Sequence, residues 1–183
     1  EFWKWMASWA VMLRKPSDLG YPSEGYDLPP LVQTQHTVGV DYAPDIETGL
    51  LFPIQAASLQ ERIAARRGTV EERVAKAATI TPSDRPFMWW CNLNAESEAL
   101  VKAIPGAVEV RGSDSEEDKE RKILDFIHGR IRVMVSKPSI MGFGLNFQHC
   151  SHVTVFPSHS YEQYYQGVRR CWRFGQRSPV KVD

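Results

Sequence analysis

Cysteine is scarce in this chain: Cys91, Cys150 and Cys171 are an odd number at wide spacing, and no C-x-x-C occurs. That pattern argues against a disulfide-stapled secreted scaffold and fits a reducing compartment, the cytoplasm. Long apolar runs are also missing. Crossing a bilayer takes about 20 consecutive apolar residues, whereas the Trp-rich start is interrupted by Lys4 and closed by Arg14, Lys15 and Pro16. A spanning segment and a cleaved signal peptide are both excluded on this reading. Net charge is absent too, since 22 Lys and Arg balance 22 Asp and Glu, so charge informs only through its placement. From Arg130 onward eight basic residues (Arg130, Arg132, Lys137, Arg169, Arg170, Arg173, Arg177, Lys181) face only Glu162 and Asp183. A locally basic third of this kind suits a phosphate-handling surface.

What is present is enough apolar material for a core. At 183 residues and 43% hydrophobic, the chain can bury about 70% of the surface its unfolded form exposes. Phe2, Trp5, Met6, Trp9, Met12 and Leu13 follow helical spacing up to Pro16 and predict an amphipathic helix whose Trp/Met stripe packs on this chain or on a neighbouring domain. Residues 16–30 are dense in Pro, Gly, Ser and Asp and predict an ordered loop, followed by a strand within Leu31–Val40. Residues 56–78 predict two helices broken at Gly68, the second capped by Thr69 with Glu72 three residues on.

From Pro86 the texture changes. Phe87–Cys91, Val108–Val110, Ile131–Val135 and Val153–Phe156 are short continuous apolar runs, and Ala95–Ile104, an acidic helix opened by Ser115 and Asp118, and a helix opened by Ser160 and Gln163 lie between or after them. Strands apolar throughout and separated by helices imply a parallel sheet covered on both faces. The predicted fold class is therefore α/β: an open parallel sheet over residues 86–183, preceded over residues 1–85 by a mostly helical and loop connector. Ligands of such sheets sit at the carboxyl ends of the strands, which singles out the loops after Cys91, Val135 and Phe156.

Two of those loops carry chemistry. After Val135 come Ser136, Lys137, Pro138, Ser139, Ile140, Met141, Gly142, Phe143, Gly144, Leu145 and Asn146. Gly142 and Gly144 allow a backbone to approach a phosphate closely, and Ser136, Lys137 and Asn146 supply donors. By itself this is also the pattern of an ordinary turn into a short helix. In the last helix Gln166, Arg170 and Arg173 lie at i, i+4 and i+7 and share a face distinct from that of Tyr161, Tyr164, Tyr165, Val168 and Trp172. Two guanidiniums and an amide delivered to one place suit the charge of a transferring phosphoryl group. His149, Cys150, His152, His159 and Cys171 could pair as metal ligands, but without C-x-x-C and with spacings that straddle a strand, ordinary side chains are expected and no metal site is assigned.

The string Gln166, Gly167, Val168, Arg169, Arg170, Cys171, Trp172, Arg173, Phe174, Gly175, Gln176 resembles motif VI of superfamily-two helicases in its Swi/Snf-type and phage-like form. Ser136–Asn146 resembles motif V, the stretch from Arg111, Gly112 and Ser113 through Arg121, Ile123, Leu124 and Phe126 resembles the block between motifs IV and V, and Phe87–Asn92 stands where motif IV belongs. The resemblance implies the second RecA-like domain of an ATP-dependent DNA helicase or translocase, working in a bacterial or phage-infected cell. It implies ATP and Mg2+ held mainly by a first RecA-like domain, whose G-x-x-x-x-G-K-[ST] and Asp-Glu-x-His this chain lacks. An excised fragment ending at the strand Val180–Val182 is expected, inactive alone. Carried over by resemblance, Arg170 and Arg173 meet the γ-phosphate with Arg173 as finger, Gln166, Gly142 and Gly144 serve the nucleotide, and Ser136, Lys137, Asn146 and Gly112 contact nucleic acid. The rival reading is a non-hydrolytic nucleic-acid-binding or regulatory module on the same fold.

Overall fold

The computed structural model describes residues 1–13, 15–40, 58–142 and 144–183. Arg14, Ala56, Ala57 and Phe143, which the sequence reading used, lie outside the described residues. In chain order the elements are α1 (Phe2–Ala7), a 3-10 turn (Pro16–Leu19), β1 (Leu31–Gln33), α2 (Leu59–Gly68), α3 (Val70–Ile80), β2 (Phe87–Trp90), α4 (Asn94–Ala103), β3 (Ala107–Glu109), α5 (Glu116–Ile127), β4 (Val133–Ser136), α6 (Pro138–Met141), β5 (His152–Val155), α7 (Tyr161–Arg169) and β6 (Val180–Val182).

The six strands form one sheet in the order β1-β6-β5-β2-β4-β3, every pair parallel. This is the open α/β sheet that the apolar runs predict, and its strands β2 and β4 are buried at all four positions. Alternation divides their side chains between two layers. Met88, Trp90 and Met134 pack with Phe126, Phe147, Val153 and Val168 on one face. Phe87, Trp89, Val133 and Val135 pack with Val74, Ala77 and Leu100 on the other. The α7 helix comes close to β2 because residue 167 is glycine: a Cβ there would sit 3.1–3.3 Å from the Trp90 indole, whose Nε1 donates to the Gly167 carbonyl at 3.1 Å.

Two elements ahead of Pro86 join this body. β1 pairs with β6 at the sheet edge, and α3 buries Val70, Val74 and Ala77 in the second layer. An ion pair fixes α3 there. The Glu96 carboxylate, 1% exposed, accepts from Arg73 at 2.7 Å and from the Asn92 and Leu93 amides at 2.9 Å, while Arg73 also lies over the Phe156 ring.

Several local expectations change. The first helix ends at Ala7, six residues earlier than its periodicity allows, and buries nothing: Trp3, Trp5 and Trp9 are 76%, 59% and 62% exposed. Its stripe packs on nothing among the described residues, and a six-residue helix with no tertiary partner lacks the length to propagate. The strand expected within Leu31–Val40 is three residues long. The real capping box belongs to α2, where Ser58 and Glu61 bond each other's amides. Thr69 instead turns its hydroxyl back to the Ala65 carbonyl. Ser160 does cap α7 by accepting from the Gln163 amide, but the Ser160 amide donates to Ser158 rather than to Gln163.

Candidate functional site

All strands being parallel, their carboxyl ends share one edge of the sheet. At that edge β4 runs through Ser136 into Lys137 and the short helix α6. Ser136 is buried and its hydroxyl donates to the Val110 carbonyl at 2.9 Å, tying β4 to the end of β3. Lys137 donates to the side-chain oxygen of Asn94, at the start of α4. Gly112 follows β3, is exposed, and has Ile140 of α6 as its nearest side chain. Glycine is required at two points of the next turn. A Cβ on Gly142 would meet the Pro138 carbonyl oxygen at 2.1 Å, and Gly144 has φ +77°, a conformation other residues rarely take.

α7 follows β5 and ends at Arg169, so the helical face expected to run from Gln166 through Arg173 stops short: Arg170 caps the helix and Arg173 lies in the turns beyond it, yet both side chains reach the stretch just after Gly144. Arg170 donates from Nε to the Gln166 carbonyl (3.1 Å), from Nη2 to the Gln166 side-chain oxygen (2.8 Å) and from Nη1 to the Leu145 carbonyl (3.2 Å). Arg173 reaches the same Leu145 carbonyl at 3.3 Å and also donates to the Asn146 side chain. Its Nε is buried and has no hydrogen-bond partner. Burial, with Arg173 and Arg169 nearby, holds the Arg170 guanidinium below its ordinary pKa, although an arginine stays charged through any shift of this kind. Among the described residues neither Arg170 nor Arg173 is paired with a carboxylate.

The site residues thus fall into two groups. Gln166, Arg170, Arg173 and Asn146 are brought together around the Leu145 carbonyl, next to Gly144, whereas Ser136 and Lys137 line the neighbouring stretch of the edge with side chains turned to the end of β3 and to α4, and Gly112 lies there beside Ile140 of α6. What sequence reasoning missed is the Leu145 carbonyl, the acceptor shared by both arginines. A backbone oxygen carries no residue-type signal. Asn94 as partner of Lys137 was missed for a similar reason, being 43 positions away.

The cysteines and histidines have other occupations. Cys150 donates to the His152 carbonyl at 3.2 Å. Its contact with Cys171, reinforced by burial, pushes the Cys171 thiol well up, which makes it a poor nucleophile. His152 bonds the Asp183 carboxylate, and His149 lies edge-on to Phe126. Among the described residues no cluster of three or more His, Cys, Asp or Glu has metal-holding geometry, and no helix is long and apolar enough to cross a membrane.

The open, all-parallel six-stranded sheet flanked by helices is a RecA-like fold. The chain belongs to the helicase conserved C-terminal domain family, which matches residues 80–175, just over half of its length. Among solved structures it is similar to the C-terminal domain of the DEAD-box protein Dbp5, with TM-score 0.51 and 16% identity over 63% of this chain and 68% of that one. It is also similar to the RNA-helicase Prp28 from Chaetomium thermophilum bound to ADP, with TM-score 0.53 and 21% identity over 62% of this chain. A third likeness is to S. cerevisiae Dbp5 bound to RNA and ADP BeF3, with TM-score 0.54 and 14% identity, again over 62% of this chain. The chain spans only 30% and 32% of those last two, and identities this low show the fold alone. No curated protein matches it.

Proposed function

We propose that this chain is the C-terminal half of an ATP-dependent DNA helicase or translocase, working against a first RecA-like domain that carries the phosphate loop and holds Mg2+. The observation that carries the reading is the convergence of Arg170 and Arg173 on one turn of the ligand edge, free of carboxylate partners, with a buried Arg173 Nε left without an acceptor. A buried donor without a partner costs roughly 1–3 kcal/mol, and a phosphate oxygen arriving across the domain interface supplies the acceptor. Arg173 is the finger, Arg170 its companion, and Gln166 positions Arg170 through two hydrogen bonds. Gly142 and Gly144 shape the turn beside the nucleotide.

On the same reading residues 86–183 are the motor domain and residues 1–85 its connector, with β1 and α3 as the parts that dock on it. Nucleic acid runs past Gly112, Lys137 and Asn146 as a backbone contact, with Ser136 holding the ends of β3 and β4 in place for it. Phosphate contacts of this type carry little sequence information and weaken steeply with salt. The structural likeness to an RNA helicase and to an RNA complex favours RNA as the competing track.

The test is nucleic-acid-stimulated ATP hydrolysis by a protein carrying both RecA-like halves, measured with DNA and with RNA. Arg173→Ala should cost about 10³-fold or more in turnover while changing the affinity for the stimulating strand less than threefold. Unchanged turnover sinks the finger assignment. Binding without any nucleotide effect in the unaltered protein makes the chain a non-hydrolytic binding module, and stimulation by RNA alone replaces DNA as the track.

A further inference from the structure

α7 carries a second surface that the arginine face leaves unused. Tyr161, Tyr165 and Arg169 follow one another at spacings of four residues on α7, which aligns them along one side of the helix, roughly 100° around from Gln166, and Trp172, just past the helix end, continues the line through its contact with Arg169. They touch in sequence. The Tyr161 and Tyr165 rings are 6.2 Å apart and 31° from parallel, and the Arg169 guanidinium lies 5.8 Å from the Tyr165 ring and 5.3 Å from the Trp172 ring. The lower end is anchored, because Trp172 Nε1 donates to the Pro29 carbonyl at 2.7 Å. The upper end is open, with Tyr161 76% and Tyr165 44% exposed.

From this we infer that the Tyr161–Tyr165–Arg169–Trp172 ladder is a stacking track for the bases of single-stranded nucleic acid. Each ring offers a face that any base can stack on, whatever the sequence, and a guanidinium lying on rings keeps N–H groups for the phosphates between bases. Charge favours this occupant over a protein patch: Arg169 is paired with no carboxylate among the described residues, and Glu162 is the only acid on the helix. Duplex nucleic acid does not fit the role, since its bases already stack on one another. The inference rests on the nucleic-acid partner proposed above, but it needs neither ATP nor the arginine pair.

The experiment uses the full chain and a fluorescein-labelled oligothymidylate of about 20 nucleotides, with an abasic strand of equal length as the second probe, both read by anisotropy. Tyr161→Ala with Tyr165→Ala should weaken binding of the base-bearing strand at least tenfold and leave the abasic strand unchanged. Tyr161→Phe with Tyr165→Phe, which keeps the rings, should retain the wild-type affinity for both. An unchanged affinity for the base-bearing strand overturns the proposal, as does an equal loss on both strands, which marks a structural defect rather than stacking. No binding of the base-bearing strand by the unaltered chain overturns it as well. Ladder-dependent binding together with full hydrolysis by Arg173→Ala in the two-domain protein sinks the finger assignment and leaves the ladder standing.

Discussion

Arg170 and Arg173 differ in how much of their hydrogen-bonding capacity the chain itself consumes. Arg170 spends three donors on Gln166 and Leu145, using the fork of its guanidinium. Lysine has no fork and cannot span the Gln166 carbonyl, its amide and the Leu145 carbonyl at once, so Arg170→Lys should behave like Arg170→Ala in ATP hydrolysis by the two-domain protein. Recovery of half the wild-type rate by the lysine variant would show that charge alone is required. Asp183 gives a pH prediction at the same scale. Burial raises its carboxyl pKa, but hydrogen bonds from Lys181, His152 and His36 outweigh that and hold it at about 2. A folded pKa below the unfolded value means that the carboxylate stabilises the fold above pH 4 and that this contribution is lost as pH falls from about 4 through 2. Urea midpoints of Asp183→Asn and the unaltered chain should therefore differ at pH 6 and converge near pH 2; a constant difference contradicts the assignment.

Among elements, α7 is the one on which the site depends, and its position is set by a contact rather than by its own propensity. A glycine inside a helix costs about 1 kcal/mol relative to alanine, yet Gly167 is what lets the helix lie against Trp90. Gly167→Val should force α7 away from β2, destabilise the chain by about 1–3 kcal/mol, and move Arg170 and Arg173 off the Leu145 carbonyl. Thermal melting combined with hydrolysis in the two-domain protein checks both consequences, and a wild-type Tm shows that the contact is slack. The starts of α5 and α7 were legible in the sequence because their serine caps are local: Ser115 and Ser160 accept from the amides three residues on. The length of α1 was not legible. Its periodicity runs through Leu13, but periodicity measures only a capacity to be buried, and no described element meets that face.

For the molecule as a whole, the division at Pro86 marks a change of sequence texture more than a gap in packing. Glu96 and Arg73 bridge it, and removing one partner of a buried pair leaves the other charge uncompensated at a cost of roughly 3–5 kcal/mol. Arg73→Ala should accordingly lower the Tm and speed proteolysis within residues 59–80, since α3 loses its tie to α4 and to Phe156. Unaltered cleavage would show that apolar packing alone holds α3. Trp5→Ser with Trp9→Ser should leave the melting of this chain unchanged, because both rings contact each other and α1 buries nothing; a clear fall in Tm would reveal a partner surface within the chain.

The layered α/β architecture was legible in the chain, since short apolar runs alternating with amphipathic helices point to buried parallel strands covered on both faces. Helical spacing also put Gln166 and Arg170 together on one face, whereas Arg173, past the end of α7, joins them through the shared Leu145 carbonyl. The tertiary structure decided where that face points. It placed β6 between β1 and β5, joined β1 and α3 from ahead of Pro86 to the sheet and its second layer, and supplied the Leu145 carbonyl and Asn146 as the arginines' acceptors. It also turned Ser136 inward to Val110, a choice open to a hydroxyl that could equally have faced solvent. These outcomes depend on contacts between residues tens of positions apart and on backbone atoms, and neither leaves a mark in residue type or spacing.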